Sequence, residues 1–188
     1  MDSFRNLRQI MGEVEADGNQ NHCTTWAPPM NSQYRLDVDA GFDSIRDKYS
    51  VGMVVRDAQG RVRGAKACPI RFPGSVACAE LLAIRMGMDF CLGLGLDNVC
   101  IFSDSLAAIK AVKESDFDLS HSGGVASEVR AMLEGISFLS IHHMRRTANN
   151  VAHALAQRAL VFSVLFEWID GVLPSWLVNI VSRDLSII

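Results

Sequence analysis

The residues from Tyr34 onward alternate between apolar and polar with a period of two, which is typical of a β-strand. The apolar and the charged positions fall on opposite predicted faces, namely Leu36, Val38 and Ala40 against Arg35, Asp37 and Asp39. A second apolar run begins at Val51, and a third follows the short loop that ends at Gly60. Two strands joined by so short a loop predict a β-hairpin. We therefore predict three antiparallel strands within residues 34–71.

The periodicity changes to that of an α-helix after Pro73 and Gly74. Ser75 is the predicted N-cap of a helix over residues 76–95. Further elements follow, namely a strand at 97–102, a helix at 105–113, a polar loop at 114–124, a helix at 125–133, a strand at 136–144 and a long helix from 147. This order predicts the α/β class, with one five-stranded mixed sheet whose antiparallel strands are followed by parallel crossovers and flanked by helices.

The chain has 188 residues, a length that predicts one domain, which we place at residues 26–165. Residues 1–25 are predicted to form a flexible arm and residues 166–188 a C-terminal tail. The most apolar stretch, residues 159–181, contains two acids and a proline, so we expect no membrane partner. Arg61, Arg63 and Lys66 are interpreted as charges that protect an edge strand.

The five cysteines are scattered and include no C-x-x-C pair, which favours buried small side chains over a disulfide scaffold or a zinc site. With no signal or transit peptide pattern, we expect an intracellular, reducing compartment, either cytoplasm or nucleus, and a monomeric protein. The formal net charge of −3 lacks the basic excess typical of nucleic-acid binders. Composition alone therefore does not indicate nucleic acid as a partner.

Three carboxylates stand at positions that could carry chemistry. Asp39 lies on the first strand, Glu80 lies in the first helix among alanines, and Asp104 directly follows an apolar strand. Ligands of open α/β sheets bind beyond the carboxyl ends of strands, and magnesium prefers carboxylate oxygens. Each acid also has an ordinary explanation, as a solvated strand residue, a helix acid or a helix N-cap.

Together with their surroundings, these acids resemble the type-1 ribonuclease H family, and within it the plant reverse-transcriptase-like branch. The matching stretches are residues 26–29 (WAPP), 52–57 (GMVVRD), 79–83 (AELLA), 104–105 (DS) and 149–156 (NNVAHALA). The resemblance covers about residues 26–165. It implies the ribonuclease H-like fold and cleavage of the RNA strand of an RNA–DNA hybrid with two magnesium ions.

The resemblance also implies roles for single residues. Asp39 matches the acid that bridges both metals, Glu80 the helix acid on one metal, and Asp104 the third carboxylate. The fourth position is normally an aspartate and is His153 here. Imidazole is a poor magnesium ligand and a better one for manganese. His153 could mark a weakened or manganese-preferring site, act as a neutral proton shuttle, or be structural in a site that no longer cuts.

Further departures concern substrate binding. The family's asparagine pair before the helix glutamate, which contacts the 2′-hydroxyls, is replaced by Val76 and Ala77, and a later glutamine is replaced by Leu106. The basic protrusion is absent, and the loop at 114–124 carries acids instead. The residues expected to bind nucleic acid are Arg145, Arg146 and Asn149. We expect weak or altered binding of hybrids.

Two hypotheses follow from the sequence. The first is a nuclease of ribonuclease H type that uses Mg²⁺ or Mn²⁺, with Asp39, Glu80, Asp104 and His153 as its catalytic residues. The second is a non-catalytic domain that keeps the fold and binds nucleic acid or another partner. The substitutions that favour the second hypothesis are His153, Val76, Ala77 and Leu106.

Overall fold

The computed structural model describes residues 25–71, 73–114, 120–135 and 137–185. Apart from Thr25, the predicted N-terminal arm lies outside these residues. The strands are β1 (Tyr34–Asp43), β2 (Lys48–Asp57), β3 (Val62–Ile70), β4 (Val99–Ser103), β5 (Phe138–His143) and β6 (Phe166–Ile169). The α-helices are α1 (Val76–Gly93), α2 (Leu106–Lys113), α3 (His121–Leu133), α4 (Asn150–Phe162) and α5 (Ser175–Leu185), and a 3₁₀ turn covers Arg146–Ala148.

The strands form one mixed sheet in the order β5-β4-β1-β2-β3-β6. β1, β2 and β3 are antiparallel neighbours, and β4 runs parallel to both β1 and β5. Helices α1, α2 and α3 contribute to the apolar core on one face, while α4 and α5 pack against Val54, Ala65 and Ala67 on the other. The predicted α/β class, the hairpin and the parallel crossovers are confirmed.

The sheet has six strands rather than five, because residues 166–185 add structure to the domain. β6 pairs antiparallel with β3, and α5 follows it onto the sheet. β3 is therefore not an edge strand, so the edge-strand interpretation of its charges is wrong. Arg63 and Lys66 instead form ion pairs with the acids of the β6 segment, Asp170 at 3.0 Å and Glu167 at 2.8 Å.

Serine N-caps determine where three of the helices begin. The hydroxyl oxygens of Ser75 and Ser105 accept hydrogen bonds from the backbone N–H groups of Cys78 and Ala108, as expected of N-caps. Helix α3 begins at His121 rather than at residue 125, because Ser120 caps it by accepting from the backbone of Gly123. The helix predicted from residue 147 begins as the 3₁₀ turn and becomes α-helical at Asn150.

The charged face of β1 is not exposed to solvent as its alternation suggested. Arg35, Asp37 and Asp39 are all buried, as completely as the apolar positions between them. Charged groups are buried in this way when they are paired and hydrogen-bonded. Asp37 accepts hydrogen bonds from Arg35 and, on β2, from Arg56. Both faces of β1 therefore lie inside the protein, and Asp39 reaches the site from a rigid strand.

The described residues include four of the cysteines and the apolar stretch at 159–181. These four cysteines form no disulfide with one another, and Cys68, Cys78 and Cys91 are buried while Cys100 is partly buried. Within the same part of the chain, no helix combines the length and the apolar character that a bilayer span needs.

Candidate active site

Strand pairing brings Asp39 and Asp104 together. β1 and β4 are parallel neighbours in which Val38 pairs with Ser103, so the acids that follow these two residues emerge side by side. Helix α1 packs across β1, and Glu80 accepts a hydrogen bond from the backbone N–H of Ala40. One oxygen from each of the three carboxylates lies within 4.8 Å of the others. The predicted acidic residues therefore form one cluster.

The cluster has the properties of a site for a divalent cation. Asp39 Oδ1 and Glu80 Oε2 are buried and have no hydrogen-bond partner among the described residues. Buried carboxylate oxygens are ordinarily hydrogen-bonded, and leaving them unpaired is costly. A hard cation such as Mg²⁺ or Mn²⁺ takes oxygen ligands, and it would satisfy both atoms together with Asp104. The residues present therefore fit a divalent metal.

The electrostatics of the cluster also favour a bound cation. Burial, together with the charges of Asp39 and Asp104, raises the pKa of Glu80 to about 8. Burial and the charge of Asp39 also raise the pKa of Asp104, while the nearby Arg146 opposes both shifts. Like charges held this close cannot all ionise without a counter-charge. A cation would supply that charge, and its binding would release a proton from the site.

We expect the metal-free protein to lose stability as the pH rises from about 5 to about 8. Between the ordinary pKa of 4.5 and the folded-state value of about 8, Glu80 stays protonated in the folded state while the unfolded chain ionises. The folded state then holds more protons, so stability falls with increasing pH. Thermal unfolding in the presence of a chelator measures this effect. The difference in Tm between wild type and Glu80→Gln should change by several degrees between about pH 5 and about pH 8. Glu128→Gln, at an exposed acid, is the matched control, and a constant difference would contradict the prediction.

His153 and Arg146 lie on the other side of Asp39. His153 Nδ1 is 2.8 Å from Asp39 Oδ2, and Arg146 Nη2 is 3.1 Å from His153 Nδ1 and 3.3 Å from Nε2. Arg146 Nη1 is also 3.7 Å from Asp104 Oδ2. The guanidinium of Arg146 remains 64% exposed, so it can be reached from solvent. The histidine at the fourth position is thus part of the acidic cluster.

The remaining residues expected to bind nucleic acid differ in placement. Arg145 is exposed at the end of β5. Asn149 is buried, and its Nδ2 donates to the backbone oxygen of Val38 at 2.9 Å and approaches Asp104 Oδ1 at 3.4 Å. The side chain of Asn149 therefore contacts β1 and Asp104, and its contact with nucleic acid stays a prediction. Its location immediately before α4 was the available sequence signal for a structural role.

The surface around the acids contains exposed apolar residues. Val76 and Leu106 are the first residues of α1 and α2, and their side chains are 46% and 49% exposed. Ala77 is exposed beside them. Aliphatic side chains cannot donate hydrogen bonds to ribose hydroxyls, so altered hybrid binding stays a prediction. Residues 115–119 of the acidic loop lie outside the described part of the chain.

Comparisons with known proteins agree with this geometry. The model of the reverse transcriptase-like family matches residues 37–159, a range that includes all three acids and His153. RNase H1 of the halophilic archaeon Halobacterium salinarum superposes with a TM-score of 0.62 at 22% identity, covering 69% of this chain and 98% of that one. No curated protein sequence matches the chain.

Two other solved structures are similar. The N-terminal RNase H domain of a Mycobacterium tuberculosis protein gives a TM-score of 0.59 at 19% identity, with 70% of this chain and 95% of that chain covered. LC11-RNase H1, solved in complex with an RNA/DNA hybrid, gives 0.61 at 15% identity, with coverages of 70% and 99%. The family match, supported by this shared fold, shows that the chain belongs to the reverse transcriptase-like family and has the fold of ribonuclease H.

Proposed function

We propose that the protein is a divalent-metal-dependent nuclease of ribonuclease H type that hydrolyses the RNA strand of RNA–DNA hybrids. The observation that carries the proposal is the cluster of Asp39, Glu80 and Asp104, with two buried carboxylate oxygens that lack partners. A purely structural cluster would neutralise these oxygens with hydrogen bonds or arginines, as the protein does for Asp37.

The chemistry follows from the ligand set. Hydrolysis forms a bond from a water oxygen to phosphorus, breaks the bond from phosphorus to a ribose oxygen, and leaves a proton on that oxygen. A bound divalent cation lowers the pKa of water and stabilises the negative charge of the leaving oxygen. Asp39 lies on β1 and Asp104 directly follows the neighbouring strand β4, so the paired strands fix the positions of the ligand atoms.

Two observations support an RNA–DNA hybrid as the substrate. The similar LC11-RNase H1 has been solved with an RNA/DNA hybrid, and the exposed Arg146 lies where a phosphate backbone could approach the acids. Arginine is well suited to phosphate because its donors form a planar fork. Without the asparagine pair and with Leu106 beside the site, we expect cleavage to be weaker than in enzymes that keep those residues.

Cleavage of a labelled hybrid by the purified protein tests the proposal. We expect RNA-strand products in Mn²⁺ and fewer products in Mg²⁺, because His153 replaces a carboxylate at the fourth position. Asp39→Asn keeps the size of the side chain but removes its charge, and it should abolish the products. Double-stranded DNA and single-stranded RNA of the same sequence are the substrate controls.

The outcomes distinguish the two functional hypotheses. Cleavage by the wild type that is absent in Asp39→Asn supports a nuclease. No cleavage above the Asp39→Asn background in either metal, from protein that binds the hybrid, would instead support the non-catalytic domain.

A further inference from the structure

The two oxygens of Asp39 have different environments. Oδ1 belongs to the acidic cluster and has no hydrogen-bond partner in the part of the chain that the structure describes, whereas Oδ2 lies 2.8 Å from His153 Nδ1. Because a carboxylate oxygen accepts, the ring nitrogen donates at this contact. A carboxylate that bridges two cations with one oxygen on each needs both of its oxygens for metal. In this chain only one oxygen of Asp39 is uncommitted.

Arg146 stands on the side of Asp39 that His153 occupies. When Nδ1 donates to Asp39, Nε2 is the ring nitrogen that can accept, and Arg146 Nη2 lies 3.3 Å from Nε2 and 3.1 Å from Nδ1. The other terminal nitrogen of Arg146, Nη1, is 3.7 Å from Asp104 Oδ2. His153 thus connects Asp39 to a guanidinium group, which carries a permanent positive charge.

The charges balance with a single metal ion. The three carboxylates carry three negative charges when ionised. One divalent cation and the guanidinium of Arg146 neutralise them completely. Two divalent cations in addition to Arg146 would leave the site with two positive charges, and no fourth carboxylate stands at position 153 to offset them.

We propose that the site binds one divalent cation, through Asp39, Glu80 and Asp104, and that Arg146, positioned by His153, supplies the second positive charge to the substrate phosphodiester. This inference rests on the proposed nuclease function and specifies its metal count and its phosphate-binding residue. Arg146 is suited to this task because it is 64% exposed while it remains in contact with the cluster. Charge placed beside a transferring phosphoryl group is among the largest contributions to its reaction rate.

Counting bound Mn²⁺ tests the metal stoichiometry without measuring activity. Titration calorimetry and low-temperature electron paramagnetic resonance are applied to the free protein and to its complex with a hybrid of cleavage-resistant phosphorothioate RNA. We expect one Mn²⁺ per wild-type chain, with the spectrum of an isolated ion, up to millimolar metal. His153→Asp combined with Arg146→Ala restores a fourth carboxylate and should bind two ions with a spin-coupled spectrum.

The outcomes separate this inference from the proposed function. Two Mn²⁺ ions per wild-type chain, in either sample, would overturn the single-cation site while leaving a metal-dependent nuclease intact. No Mn²⁺ binding, or binding unaffected by Asp39→Asn, would overturn both. The wild-type count decides the question even if the double variant fails to fold.

Kinetics test the role of Arg146. Arg146→Ala should lower kcat on the hybrid by about 100-fold or more, without weakening Mn²⁺ binding, since a positive charge beside the metal ligands has been removed. Arg146→Lys keeps the charge without the planar fork and should recover part of the loss. Arg145→Ala, at the neighbouring exposed arginine, should mainly raise KM. A loss below threefold in Arg146→Ala, or equal kcat losses in Arg145→Ala and Arg146→Ala, would overturn the assignment.

Discussion

Gly52→Ala is expected to destabilise the protein by roughly 3 kcal/mol, near the upper end of the usual cost of overpacking a core. Gly52 lies on β2, directly opposite Asp39, and α4 crosses above it. A Cβ atom at this position would overlap the backbone of Ala152 and Ala156, and it would lie 2.9 Å from Leu155 Cβ. Backbone atoms cannot move aside as a flexible side chain can, so α4 must shift. Urea unfolding measures the loss.

The same shift should affect the candidate site, because α4 carries His153. Displacing Ala152 displaces the next residue and lengthens the contact between His153 and Asp39. Gly124→Ala is the matched control, because a Cβ atom there would meet nothing within 4 Å. It lies in an exposed position of α3, and it should leave stability unchanged or raise it by up to about 1 kcal/mol. Equal free energies of unfolding of Gly52→Ala and Gly124→Ala would show that the packing of α4 does not depend on its close approach to Gly52.

The parts of the fold that depend on local sequence were predictable. The hairpin, the α/β order and the caps at Ser75 and Ser105 follow from periodicity and from short-range hydrogen bonds. β6 was not predictable in this way. It has four residues, and it is stabilised by pairing with β3, a strand about one hundred residues away in the sequence. A short strand stabilised by such distant contacts leaves little local pattern to detect.

The candidate site was predictable in its membership but not in its contacts. The resemblance indicated Asp39, Glu80, Asp104 and His153, and the structure brings them together. The period of β1 shows that Asp39 and its neighbours share a face, but alternation cannot reveal what covers that face. Arg146 lies in the 3₁₀ turn before α4, where the sequence predicts a continuous helix. Its contact with His153 could therefore not be predicted. The burial of Asn149 was likewise not predictable, because it depends on packing against β1, which is distant in the sequence.

A second large effect is expected at the buried network beneath the site. Asp37 accepts hydrogen bonds from Arg35 at 2.6 Å, from Arg56 at 2.6 Å and from Trp26 at 3.0 Å. All four side chains are buried, and Arg56 also pairs with Asp184 of α5 at 2.9 Å. Burial alone would raise the pKa of Asp37, but the two arginines hold it below its ordinary value. The network joins Trp26, β1, β2 and α5.

Asp37→Asn should destabilise the protein by about 3–5 kcal/mol, because it removes one of the two acids that balance two buried arginines. Arg35 would lose its ion-pair partner, and Arg56 would keep only Asp184. The ionised Asp37 is favoured in the folded state, so its contribution is present near neutral pH and is lost as the pH falls through the folded-state pKa. The stability gap between wild type and Asp37→Asn should therefore narrow in acid, which urea unfolding at pH 7 and at low pH measures.

Asp43→Asn, on the same strand, is the matched control for this prediction. Asp43 also pairs with an arginine, but Arg46 is 70% exposed, and exposed ion pairs contribute at most about 1 kcal/mol. Asp37→Asn and Asp43→Asn share the residue type, the strand and the type of partner. The difference between their losses in free energy of unfolding therefore isolates the effect of burying the charge. If both variants lost the same stability, the buried network would contribute no more than a surface pair. Burial of Asp37 between two arginines would then have to be explained by the positioning of β1, on which Asp39 lies two residues further along.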